Sequence, residues 1–131
     1  MSRSPVKRFI APVAWTLFLL ALLSFPGGYL PPADGIAFDK VVHFVLFFVL
    51  AVLWLRAFEA QGGTTFIIIL VCGALFAPLT EFYQGILGTD RRPDMLDSVA
   101  DVVGFALGTL VWFFLGKADL GEDKDEAMQA R

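Results

Sequence analysis

Along the chain the hydrophobic positions gather into four long runs, separated by short polar or Gly/Pro-rich stretches. A helix that crosses a bilayer needs roughly 20 predominantly apolar residues, with about 17 as a working minimum. The first run, FIAPVAWTLFLLALLSF at 9–25, is closed by Pro26, Gly27 and Gly28. The second follows Asp39 and Lys40 and covers 41–58, the third covers 64–87 and the fourth 95–115. The pattern predicts an all-α, four-transmembrane-helix bundle forming one membrane domain over 9–115, flanked by an N-terminal segment 1–8 and a tail 116–131. Arg3, Lys7 and Arg8 precede the first run as they would in a signal peptide. The end of that run does not read as a small-x-small cleavage site, so a permanent helix is expected.

Lys and Arg concentrate on the cytoplasmic side of membrane proteins. With both termini inside, that side holds Arg3, Lys7, Arg8, Arg56, Lys117, Lys124 and Arg131, against Lys40, Arg91 and Arg92 outside. The balance predicts an N-in, C-in topology. Trp54 and Trp112 then fall near the inner ends of their helices and Tyr29 and Tyr83 near the outer ends, where amphipathic rings prefer to sit.

Composition sharpens this picture. Hydrophobic residues make up 57 % of the 131 positions and aromatics 15 %, and the mean hydropathy is +0.71, a balance foreign to soluble globules. The net charge of −3 arises mostly in the tail, which is expected to be solvated and partly disordered. No basic face exists to hold nucleic acid. The single cysteine, Cys72, excludes an internal disulfide framework and a Cys-based zinc site.

Against this apolar background the polar residues stand out. Asp39, Lys40, His43, Glu81, Gln84, Asp90, Arg91, Arg92, Asp94, Asp97 and Asp101 all fall toward the outer ends of the spans. Each ionisable group within a span costs roughly 2.5–3.5 kcal/mol on insertion scales, so such groups face a partner or a wet cavity. Asp39 and Asp94 can serve as N-caps, with Asp97 in the first turn of the last helix. Capping leaves Glu81, Gln84 and Asp101 unexplained. Glu81 and Gln84 are three apart beyond Pro78, which is expected to kink its helix. Asp97, Asp101, Gly104 and Gly108 recur at spacings of four, three and four, an acidic stripe that turns into a small-residue stripe suited to close helix contact. Asp39, Lys40 and His43 can share one face of the second helix.

The order DKVVHF, EFYQ and RRPDMLDSVADVVGFALG resembles the VanZ-like family of small bacterial membrane proteins. The matching positions are Asp39, Lys40, His43, Phe44, Glu81, Gln84, Asp97, Gly104 and Gly108, with Arg91 or Arg92 as the family arginine. Asp101 departs from the Asn usual there. The resemblance implies a multi-pass protein of the bacterial cytoplasmic membrane and a link to the glycopeptide (teicoplanin) response. It implies no reaction.

Three functions remain open. A pocket on the outer face, formed by Asp39, Lys40, His43, Glu81, Gln84, Arg91, Arg92, Asp97 and Asp101, would bind an anionic lipid headgroup or a cell-wall precursor. Alternatively, His43, Glu81 and Asp97 would serve an intramembrane enzyme as acid, base or metal ligands. In the third reading the cluster is structural, with pairs such as Lys40 with Glu81 or an arginine with Asp97 fixing the packing. No metal or cofactor is assigned; the bilayer and a second copy of the chain are the expected partners.

Overall fold

The computed structural model describes residues 6–25, 36–60, 62–87 and 94–129, with the side chains of 36–37 and 117–127 left out. A 3-10 turn, Lys7–Phe9, leads into α1 (Ile10–Leu23), followed by α2 (Ile36–Ala57), α3 (Gly63–Ile86) and α4 (Met95–Gln129). Among the described residues there is no strand. The fold is all-α, as the runs predict.

Three of the helices are long and apolar enough to cross a membrane, over Phe38–Ala57, Gly63–Ile86 and Met95–Gly116, which marks a multi-pass membrane protein. The fourth expected span is shorter, because α1 itself has only 14 residues. Its start at Ile10 puts Pro12 in the first turn, where a missing N–H leaves no hydrogen bond unmade. Toward lipid, α3 turns Ile67, Val71, Leu75, Leu79 and Phe82, each more than half exposed.

Two boundaries differ from the sequence reading. α2 begins at Ile36, so Asp39 lies inside the first turn and is not the N-cap. α4 continues to Gln129, well past Gly116, in place of a disordered tail. Of the 13 residues in this extension nine are good helix formers (Ala, Glu, Lys, Leu, Met and Gln), which outweigh three Asp and Gly121, and lengthening an existing helix avoids the cost of nucleation. The third helix continues through Pro78.

Connectivity is up-down-up-down, so α2 and α4 run parallel and begin at the same end. Their close approach is the work of glycine. A Cβ on Gly104 would overlap the Phe44 carbonyl and one on Gly108 the Phe48 carbonyl. Gly73 of α3 likewise receives the ring of Phe105. Around these contacts lies a core of Leu19, Leu46, Phe47, Leu50, Ala51, Leu55, Ala77 and Phe105.

The ends of the bundle differ in chemistry. One, the aromatic end, gathers Phe9, Trp54, Phe58 and Trp112. There the Trp112 indole donates to the Ala60 carbonyl at 2.7 Å and the Trp54 indole to the Thr16 hydroxyl at 3.2 Å. Trp112 is buried, so it is a core residue and not the interfacial anchor its position suggested. The other, the acidic end, holds the N-termini of α2 and α4 and the C-termini of α1 and α3.

Candidate functional site

The acidic end is built in two layers. In the outer one the Lys40 ammonium donates to Asp94 Oδ2 at 2.8 Å and to Asp97 Oδ1 at 2.7 Å, tying α2 to the start of α4. Asp94 is the N-cap expected from sequence. Its Oδ1 accepts the Leu96 N–H at 2.9 Å, and its carbonyl accepts the Asp97 N–H at 3.0 Å. The Asp94 N–H in turn donates to Glu81 Oε2 of α3 at 3.1 Å. One residue therefore joins three helices. Lys40 beside it holds the Asp94 carboxyl below the usual carboxylate range.

The deeper layer sits within the spans. His43 Nδ1 lies 3.0 Å from Asp101 Oδ1, the two side chains being 2 % and 0 % exposed. Glu81 Oε1 and Asp101 Oδ2 are buried and have no hydrogen-bond partner among the described residues. One side-chain ligand atom from each of His43, Glu81 and Asp101 lies within 4.8 Å of the other two. The same holds for Asp39, His43 and Asp97.

The structure thus brings together Asp39, Lys40, His43, Glu81, Asp97 and Asp101 from the sequence-derived set. Gln84 does not join them: its Nε2 donates to the Leu23 carbonyl at 3.2 Å, satisfying an acceptor that the end of α1 leaves free. Arg91 and Arg92 lie outside the described residues, as do Asp90 and Tyr29. The expected partners also change. Lys40 pairs with Asp94 and Asp97 and not with Glu81, because α4 lies directly against α2. Asp94 belongs to the cluster and was read from sequence only as a cap; its place after Pro93, ahead of an apolar helix, was the available signal.

The inner members of the cluster, His43, Glu81, Asp97 and Asp101, are buried, whereas Lys40 and Asp94 keep part of their side chains exposed. A cavity of about 550 Å³ lies away from the cluster, lined by Leu50, Trp54, Ile69, Phe76 and Phe105 among others, and is almost wholly apolar.

No family model matches the chain, and no solved structure does. The chain is similar to an uncharacterized protein of Schizosaccharomyces pombe, 34 % identical over 94 residues that make up 71 % of this chain and 57 % of the relative. It therefore spans little more than half of that relative's length. These findings overturn the VanZ-like assignment: no family model supports it, and the relative is a yeast protein, so the bacterial cytoplasmic membrane and the glycopeptide link are left without support. The residues that carried the likeness have local physical roles. Gly104 and Gly108 let α2 and α4 touch, Gln84 meets the end of α1, and Lys40 binds α4.

Proposed function

We propose that the chain is a four-pass membrane protein whose acidic end binds a positively charged ligand at headgroup depth. In this reading α1 is the remaining pass, and the aromatic end faces the cytoplasm. Lys7, Arg8 and Arg56 lie there, and Lys117 and Lys124 follow the α4 span, as the positive-inside rule favours.

One observation carries the reading: two buried carboxylate oxygens, Glu81 Oε1 and Asp101 Oδ2, lack hydrogen-bond partners beside His43. A buried acceptor without a donor costs about 1–3 kcal/mol, more if charged, so it is kept where something else uses it. The charge balance gives the sign of the ligand. Among the described residues Asp39, Glu81, Asp94, Asp97 and Asp101 meet the cationic groups of Lys40 and His43, and Lys40 is already held by two of them. The anionic headgroup or cell-wall precursor expected from sequence would meet the wrong charge among these residues. An enzyme built on His43, Glu81 and Asp97 is less well supported, since Asp97 is engaged by Lys40.

The test is the unfolding temperature of purified protein in detergent, titrated with Na⁺, spermidine, Mn²⁺ and Zn²⁺, and separately with inorganic phosphate. A ligand that binds only the folded state at about 100 times its Kd adds about 2.7 kcal/mol. At least one cation should stabilise wild type saturably, and Asp101→Asn should lose the effect. Stabilisation by phosphate alone overturns the reading.

A further inference from the structure

We infer that His43, Glu81 and Asp101 form a binding site for one divalent transition-metal ion between α2, α3 and α4. The inference rests on the cation-binding reading above and names its ligand. The three residues come from three helices, and all are at least nine-tenths buried: His43 is 2 %, Glu81 6 % and Asp101 0 % exposed.

The geometry supports it in two independent ways. First, the ligand atoms lie within 4.8 Å of one another. Two ligands on a tetrahedral ion with bonds of about 2.0–2.2 Å are separated by about 3.4 Å, so small side-chain rotations bring all three onto one ion. Second, Glu81 Oε1 and Asp101 Oδ2 have no hydrogen-bond partner among the described residues. Glu81 Oε2 is meanwhile fixed by the Asp94 N–H, an outer contact of the kind that orients a metal ligand. The His43–Asp101 contact joins two of the ligands themselves and is exchanged for the ion when it binds.

Charge selects a dication. Two carboxylates and a neutral imidazole around M²⁺ make a neutral cluster, which removes the penalty of leaving two acids among apolar helices. One nitrogen and two oxygen donors suit Mn²⁺, Fe²⁺ or Zn²⁺ better than the all-oxygen cages of Ca²⁺. The neighbouring triad of Asp39, His43 and Asp97 is a poorer site. Lys40 already occupies Asp97, and Asp39 is only partly buried.

Full-length, tag-free protein in detergent is stripped with a chelator and titrated with Mn²⁺, Zn²⁺ and Co²⁺, with metal counted by mass spectrometry and Co²⁺ followed by its ligand-field absorption. Wild type should bind about one equivalent, and Glu81→Gln and Asp101→Asn should each weaken binding about tenfold or more. Glu59→Gln, at the aromatic end, should leave it unchanged. Binding that survives both substitutions in protein that still elutes as a single folded species places the metal elsewhere and overturns the inference. So does wild type that binds none of the three ions, a result that needs no variant. If wild type ignores these metals yet is stabilised by Na⁺ or spermidine through Asp101, the metal assignment fails while the cation-binding reading stands. If no cation acts, both fail.

Discussion

At the aromatic end, every indole and hydroxyl discussed above has found a partner: Trp112 the Ala60 carbonyl, Trp54 the Thr16 hydroxyl, and Thr16 the Pro12 carbonyl at 2.8 Å. At the acidic end a lysine, a histidine and five carboxylates also meet at short range, yet two carboxylate oxygens are left over. The contrast separates polarity that completes a fold from polarity held in reserve. A satisfied group lowers the energy of the folded chain, whereas an unsatisfied buried one raises it, and the proposed cation would offset that cost.

The largest expected effect breaks the satisfied end. Trp112→Ala removes a buried ring and strands the Ala60 carbonyl, and should destabilise the protein by about 3–5 kcal/mol in a denaturant titration in detergent. A loss below about 1 kcal/mol would mean that this end is not the structural anchor. Lys40→Met should come next, lowering the unfolding temperature by less than Trp112→Ala, because it leaves Asp94 and Asp97 without their cation. In wild type the same lock should open only in acid. The Asp94 carboxyl is held below its ordinary value, so its contribution is fully present above roughly pH 4 and fades as pH falls through the lowered value. Thermal melts from pH 7 to pH 3 check the direction; a loss already at pH 6 would assign the lock to another group. The smallest effect should come from Arg8→Ala. The Arg8–Glu59 pair is 2.9 Å long but largely solvent-exposed, and such pairs contribute about 0–1 kcal/mol. A larger loss would show that the aromatic end depends on charge as well as on rings.

Much of this organisation was legible in the residues alone. Runs of apolar positions locate helices because a spanning segment must satisfy its own backbone, and spacings of three and four place Asp97, Asp101, Gly104 and Gly108 on one face. Their roles emerged in that order: the acids in the cluster, the glycines against α2. What could not be read was the rotation of each helix about its axis. That rotation sends Lys40 to Asp94 and Asp97 in place of Glu81, couples His43 to Asp101, and turns Gln84 toward Leu23. The ends of helices were also hard to fix, since Ile36, Ala37 and Phe38 follow the turn-favouring pair Asp34 and Gly35 in sequence, and the residues after Gly116 are polar enough for a loop yet able to extend a helix already formed.

α1 carries a last consequence. It is fastened at both ends, by Arg8 to Glu59 after α2 and by the Ser24 hydroxyl to the Tyr83 hydroxyl of α3 at 2.9 Å. Between those ties run the end of the 3-10 turn and the 14 residues of α1, about 25 Å of rise. Taken as the fourth pass proposed above, α1 would set the apolar height of the bundle, near the thickness of a thin bilayer and below the roughly 30 Å of an average one. In a thicker membrane the lipid would then dip toward α1, with the acidic end in that dip, closer to water than its depth along α4 suggests.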